Sequence, residues 1–587
     1  MSAGNPDPRG DPVTGSDESG WPRHIVFAVG GAVLLGFCLR TWGADFGLPY
    51  VYHYDDVLTD YMVLRALAQR LRPVIFMYDD VQTSILACFH GVLFVSGWLT
   101  TSSYGAVEYL TDHVRDPSTF TLCGRAVSAV SGSLSALAIA LVCGRLGGRW
   151  CAVSGAMFVA VASAGVQESH NLKGHTLAAC LAAFSLYVIV KLLDVGGRRV
   201  LLGAGFLLGL TIAAKPYAVA LLPALAVSLW FSSQLKVRAL AMLAGGAVGG
   251  YAVGNPTVFL YPVLTFEAAL KLNSLMKSLY GTPWVDTGGL PLWLFYWFGH
   301  LRNTLGTPMF LACISGIVAG IVTRHRGIVV VTTFLVSYTV LLHKSSGFTR
   351  YMLPLELGAC ATAAFAVSRV CQNLRWRGAA CLTLSALVIL VPLRNDVAYD
   401  ALLSSPDTRT RGAQWLTENV EPGATVIIEG TDSPFLRSFL GPQVRPSPDR
   451  VRAELQSKDP NAQGRLLQAI LRVAEERPIR LSLENVVGLD EVGGGIDNVD
   501  LFRKRGVRYL VSINWVPRRR HVATRYAAEF QRDLDRHYEK IKTFVPEPIL
   551  RFDPVAWQVD YEKLWQVDPF DRRLVLGPLI EVYKIRE

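Results

Sequence analysis

RRVLLGAGFLLGLTIAAKPYAVALLPALAVSLWFSSQLKVR (198–238) carries the pattern that decides the fold. Two apolar runs are separated only by Lys215-Pro216-Tyr217, and the pair is bracketed by Arg198-Arg199 and by Lys236 with Arg238. A helix needs about 20 mostly apolar residues to span the hydrocarbon. Short cytoplasmic loops collect Lys and Arg. The stretch therefore predicts a helical hairpin that enters a membrane from a basic turn, reverses at Lys215 and returns to a second basic turn.

The same pattern extends in both directions. Apolar runs begin near residues 24, 82, 120, 150, 175, 200, 217, 239, 290, 309, 327, 351 and 378. Five short loops are basic: Arg145 with Arg149, Arg198 with Arg199, Lys236 with Arg238, Arg324 with Arg326, and Arg375 with Arg377. If all five face the cytoplasm, an even number of crossings separates each from the next. GLPLWLFYWFGHLRNTLG (289–306) breaks that parity, and its aromatics, His300 and Arg302 suit an interfacial helix. VQTSILACFHGVLFVSGWL (81–99) breaks it at the other end; with His90 in its middle, it reads as lying along the outer face. About eleven crossings remain, and the chain after Arg394 emerges outside.

Composition agrees. The 587 residues are 51% hydrophobic and only 18% charged, which excludes a disordered chain and is wrong for a soluble one. Residues 395–587 hold 29 basic and 29 acidic side chains, so the whole +10 net charge lies in the apolar part. That location removes the nucleic-acid reading a basic protein invites. The ten cysteines lie between Cys38 and Cys381 without metal-ligand spacing and read as small packing residues. Residues 1–22 read as a disordered cytoplasmic tail, 23–394 as the transmembrane domain and 395–587 as an extracytoplasmic α/β domain.

Four polar segments fall on the outer side of this topology: YVYHYDDVLTDYMVLRAL (50–67), QESHNLKGH (167–175), Lys215-Pro216-Tyr217 and HKSSGFTRY (343–351). They bring Asp55, Asp56, Glu168, His170, Lys173, His175, Lys215, His343, Lys344 and Arg350 to one membrane face. Ionisable groups this close to lipid are costly and mark a site. Each has a plainer reading. Asp55 and Asp56 could cap the helix that follows, and Lys215 and Arg350 could snorkel to headgroups. His170 and His175, five apart, are poorly spaced for a shared metal. Together, acids and cations at a lipid interface suit transfer from a lipid-linked phosphate donor. A carboxylate takes the proton of an acceptor hydroxyl while Lys and Arg hold the departing phosphate. No metal ligand is assigned. Paired acids near a phosphate could hold a divalent cation, and the basic residues could neutralise it without one.

HYDD (53–56) resembles the His-x-Asp-Glu signature in the first outer loop of the GT-C membrane glycosyltransferases. More narrowly, the chain resembles the family 39 branch of protein O-mannosyltransferases, aminoarabinose transferases and RgtA/B/C/D-like bacterial enzymes. LCGRAVSAVSGSLSALAIALVCGRLGG (122–148) is similar to that family's arginine-led helix, and QESHNLKGHTLAACLAAF (167–184) to its second outer loop. LLGAGFLLGLTIAAKPYAVALLPAL (201–225), GFTRYMLPL (347–355) and DTRTRGAQWLTENVEPGATVIIEG (407–430) continue the resemblance.

The resemblance implies an inverting transfer of sugar from a polyprenyl-phosphate donor to a hydroxyl of a glycan, lipid or protein, on the extracytoplasmic side of the plasma (inner) membrane. It implies Asp55 as base, with Asp56 and His53 beside it, and Lys215, Arg350 and Lys344 at the donor phosphate. Glu168, His170, Lys173 and His175 support the site. Two departures are Asp56, where Glu is usual, and His175, where many members carry a carboxylate. A transporter or flippase for lipid-linked sugars is the alternative. It would be expected to show internal repeats and charges along a path through the bilayer, and neither is evident.

In the last third, residues 406–420, 462–477 and 521–542 read as helices, and 424–430, 507–515 and 574–585 as strands, an α/β layer. GGGI (493–496) lacks the Lys-Ser/Thr of a phosphate loop. Arg518, Arg519 and Arg520 read as a solvated or headgroup-facing patch.

Overall fold

The computed structural model describes residues 21–49, part of 51–67, and nearly all of 81–279 and 289–421. Beyond these it describes 424–428, most of 462–476, 481–482, 506–512, 535–544, 580–586 and a few isolated positions. The N-terminal tail, His53, Asp55, Lys344, the 493–496 glycines and the 518–520 arginines lie outside the described residues.

Among the described residues, the main helices before residue 255 are α1 (Arg23–Thr41), α2 (Val81–Thr100), α3 (Ala106–Arg115), α4 (Ser118–Gly147), α5 (Arg149–Ala160), α6 (Ser163–Glu168), α7 (His175–Lys191), α8 (Arg198–Ala214), α9 (Leu221–Phe231) and α10 (Val237–Gly254). After them come α11 (Pro262–Leu279), α12 (Arg302–Val322), α13 (Arg326–Leu342), α14 (Leu353–Val370) and α15 (Arg377–Leu403). Among the described residues, seven helical stretches are long and apolar enough to cross a membrane, and four shorter apolar helices accompany them. The chain is thus a polytopic helical membrane protein. One of the seven is α2, set aside above on parity; Gln82, Leu86 and His90 are its buried residues, and most of its surface is open.

The expected break between 289–306 and the following run is present. Residues 292–305 are helical, Gly306 takes φ 72° and ψ 153°, and the helix resumes beyond it with Pro308. A side chain strains at that φ, and glycine does not.

Small residues set the closeness of the packing. A Cβ at Gly205 or Gly209 of α8 would collide with the main chain of Leu243 or Ala247 in α10. Likewise, Gly246 and Gly250 of α10 face the main chain of Leu202 and Phe206. In each helix the two glycines are four apart, the spacing that lets membrane helices touch backbone to backbone. Because Leu202 meets Gly246 and Phe206 meets Gly250, α8 and α10 run parallel, and the 198–199 and 236–238 turns share one end. The other basic turns gather there too. Arg145 reaches Asp194 at 3.3 Å, Gly327 packs on Leu146, and Arg377 donates to Gly147 O at 3.1 Å.

The described residues of the last third form α16 (Thr408–Asn419), α17 (Ala462–Glu476) and five strands: β1 (Ala424–Ile428), β2 (Leu481–Ser482), β3 (Tyr509–Ser512), β4 (Tyr538–Phe544) and β5 (Ile580–Ile585). The sheet order is β2-β1-β3-β5-β4, with β1 parallel to β2 and β3 and the remaining pairs antiparallel. Leu416 and Val420 beside α16, with Val426, Tyr509, Val511, Ile580 and Val582, make its core. Asp407 caps α16 by accepting from Arg409 N at 2.8 Å.

One expectation is overturned. The helix read over 521–542 does not extend to its end, because Tyr538–Phe544 is a strand paired with β5 and bulged between Lys540 and Lys542. The polar DRHYEK run has helical propensity. However, Tyr538 is buried and its hydroxyl donates to Val507 O at 3.0 Å, and pairing along the sheet edge overrides propensity. Lysines on this edge strand suit its exposure.

Candidate active site

The four polar clusters meet. Asp56 is fully buried, and Arg125 in the first turns of α4 donates to its Oδ2 from Nη2 at 3.0 Å and Nε at 3.3 Å. The main-chain N–H of Leu172 donates to Oδ1 at 2.6 Å. Arg125 Nη1 also donates to Ala44 O and Phe46 O, both at 2.7 Å. One carboxylate thereby ties its own segment to the 167–175 loop and, through Arg125, to the segment leaving α1. A buried pair of this kind is held by its geometry. Removing one member leaves the other charge without compensation.

The second loop continues the chain of contacts. His175, at the start of α7, is buried and packs edge-on against Tyr351, with 5.6 Å between ring centroids. The Arg350 guanidinium lies 5.6 Å from the same ring. Tyr338 of α13 donates to Tyr351 O at 2.6 Å and packs edge-on against Tyr217 at 5.7 Å. Lys215, two residues before Tyr217, is buried where α8 ends. The 292–305 helix closes one side. His300 Nε2 meets Gly347 O at 2.8 Å, and the Tyr296 and Ser345 hydroxyls are 2.7 Å apart. Asp56, His175, Lys215 and Arg350 thus belong to one connected end of the bundle, opposite the basic turns.

Glu168 and His170 are buried there as well, and Lys173 is partly exposed. His170 places Nδ1 3.0 Å from Val166 O and Nε2 3.0 Å from Trp42 O, with Asp400 Oδ1 at 3.6 Å. Burial pushes its pKa down to about 4, against the pull of the two carbonyls.

Beneath this layer lies a set of buried charges that the sequence reading did not single out. Arg40 donates to Gly36 O, Ala160 O and Val159 O at 2.9–3.0 Å. Glu356 accepts from Ala164 N and Gly165 N at 3.3 and 3.0 Å, capping the short α6. Asp396 and Asp400 are buried on α15, which runs on past Arg394 to Leu403. Arg40 was hidden because one arginine at the end of an apolar run reads as a membrane-edge residue. The two aspartates were hidden because they sit where the chain was expected to have left the bundle.

A further group was missed because its members are far apart in sequence. Asp60, His90 and His113 bring their ligand-type atoms within 4.8 Å of one another and could hold a metal ion. The signal was partly visible as a histidine in the middle of the apolar run 81–99.

Residues 121–254 match the family described as dolichyl-phosphate-mannose-protein mannosyltransferase. No match to a curated protein is found at the level of whole sequences. Among solved structures, the chain is similar to the Archaeoglobus fulgidus oligosaccharyltransferase in the apo form, with TM-score 0.49 and 12% identity over 96% of this chain and 88% of that one. It is also similar to the archaeal oligosaccharyltransferase AglB from Archaeoglobus fulgidus in complex with an inhibitory peptide and a dolichol-phosphate (TM-score 0.44, 13% identity, 89% and 73% covered). A third is ArnT from Cupriavidus metallidurans bound to undecaprenyl phosphate (TM-score 0.43, 12% identity, 95% and 98% covered).

Proposed function

We propose that this protein transfers a sugar from a polyprenyl-phosphate donor to a hydroxyl acceptor at the extracytoplasmic face of the plasma (inner) membrane, with inversion at the anomeric carbon. The acceptor oxygen attacks the anomeric carbon, a carboxylate takes its proton, and polyprenyl phosphate departs with the electrons of the broken C–O bond. A phosphate ester needs no external acid to leave. Asp55 is assigned as the base. Asp56 is assigned as the residue that holds the loop, since Arg125 and Leu172 N–H already occupy its oxygens. Lys215 and Arg350, with Lys344, are assigned to the donor phosphate, where preorganised cations stabilise the charge of the leaving group.

The observation that carries this reading is the convergence of Asp56, His175, Lys215 and Arg350 at one end of the bundle. The gathering of the basic turns at the opposite end favours a cytoplasmic placement for those turns, and with it the eleven-crossing topology and an extracytoplasmic sheet layer. The match to the mannosyltransferase family and the likeness to structures holding dolichol-phosphate and undecaprenyl phosphate favour a lipid-phosphate donor.

The test is transfer of labelled sugar from polyprenyl phosphate by membranes containing the protein. Asp55→Asn is expected to lower transfer by at least about 100-fold, as loss of a positioned base does. Undiminished transfer would remove Asp55 as base. Translocation of lipid-linked sugar by the unmutated protein with no transfer would make it a transporter.

A further inference from the structure

Asp60 lies four residues after Asp56 in the first outer loop, but its surroundings are different. Its Oδ2 is 2.7 Å from His113 Nε2 and its Oδ1 3.2 Å from His90 Nε2. His90 comes from the middle of α2 and His113 from the last turn of α3, and both are buried. The Asp60 side chain keeps 18% of its surface exposed. His90 stacks on Phe120 with 3.8 Å between centroids, and His113 meets the same ring edge-on at 5.6 Å. Tyr109 Oη lies 2.5 Å from His90 Nδ1.

We propose that Asp60, His90 and His113 form a binding site for a divalent transition metal of the zinc class, tying the acid-bearing outer loop to α2 and α3. Two imidazoles and one carboxylate are the ligand types that favour zinc, whereas calcium and magnesium call for oxygen ligands. Bonds of about 2.0–2.1 Å at tetrahedral angles separate ligand atoms by roughly 3.3 Å, close to the spacing of Asp60 Oδ1 and His90 Nε2. With Nδ1–H donating to Tyr109, His90 keeps its Nε2 lone pair for the ion. A metal-bound histidine usually has such an outer partner. Three protein ligands leave a fourth position that water would fill.

The placement gives the metal a consequence. Asp60 is about one helical turn beyond Asp56, so an ion here limits how far the loop holding Asp55 can move. On its other side, α3 carries Glu108, which accepts from Arg472 of α17 at 2.8 Å. The ion therefore lies between the candidate active site and the helix by which the last third of the chain docks.

The experiment uses the full-length, untagged protein in detergent, stripped with a chelator and titrated with Co2+ as an optical probe. One equivalent is expected to bind, with the visible ligand-field bands of a tetrahedral site, and equimolar Zn2+ is expected to displace it. Asp60→Asn and His113→Gln are expected to weaken Co2+ binding by more than 100-fold. Tyr109→Phe keeps the packing and is expected to weaken it roughly 10- to 100-fold. If the metal-free unmutated protein is folded by thermal melting yet shows no stoichiometric cobalt band, the group is an aspartate–histidine ion pair and the proposal fails. It fails equally if Asp60→Asn and Tyr109→Phe bind cobalt as the unmutated protein does. None of these readouts depends on sugar transfer, so the metal site and the transferase reading can fail separately.

Discussion

The helical bundle and the sheet layer that follows it solve burial in opposite ways. In the bundle, alanine, glycine and serine bring helices such as α5 and α14 close enough that almost every side of them is covered. A polar side chain there is an exception that needs a named partner, as Arg125, Arg40 and Glu356 have. In the layer, a five-stranded sheet and α16 enclose a small core, and the edge strand Tyr538–Phe544 is mostly exposed and polar. Polarity in the bundle therefore points to function, whereas polarity in the layer is the ordinary state of a surface.

That contrast can be broken experimentally. The largest effect is expected from Arg125→Met, which leaves Asp56 buried without its cation. A loss of about 3–5 kcal/mol, read as a lower melting temperature in detergent, should accompany loss of transfer. A variant as stable and active as the parent would mean that the Asp56 anchor is dispensable.

The next effect concerns pH. His170 titrates near 4 when folded and near 6.5 when unfolded. Between these values the unfolded chain binds a proton that the native chain does not, so stability rises with pH through the window and levels off above it. The expected slope is about 1.4 kcal/mol per pH unit at most, and His170→Asn should flatten it. A melting curve with the same slope in both proteins would contradict the assignment.

Gly209→Ala should cost about 1–3 kcal/mol by forcing α8 away from Ala247 of α10. The measurement is again the melting temperature, and no change would mean the helices separate freely. The smallest effect belongs to the layer. Tyr509 donates to Glu421 at 2.6 Å, and Tyr509→Phe should cost only about 0.5–1.5 kcal/mol, with transfer unchanged. A larger loss there would undo the contrast between the two regions.

Legibility in the sequence followed the same division. The apolar runs and basic turns predicted the bundle, because hydrocarbon thickness and charge bias act on each segment separately. The 289–306 segment stood apart from the following run in sequence by its aromatics, His300 and Arg302, though nothing there named Gly306 as the break. Arg40, Asp396 and Asp400 were not legible, because their burial is set by tertiary packing and each looks ordinary in its own segment. Asp60, His90 and His113 span three elements with no motif spacing, so only folding reveals them. In the layer, 538–544 misled because propensity is local while strand pairing with 580–585 is not. There the starts of α16 and β1 were legible, since Asp407 caps one and Pro422-Gly423 precedes the other.

The central claim is that a sugar leaves a lipid phosphate and arrives on an acceptor hydroxyl with inversion. The direct measurement is the anomeric configuration of the product, together with the amount of free polyprenyl phosphate released per sugar transferred. The account predicts an inverted linkage and one polyprenyl phosphate for each sugar. A retained configuration, or sugar that crosses the membrane without release of the lipid phosphate, would contradict it.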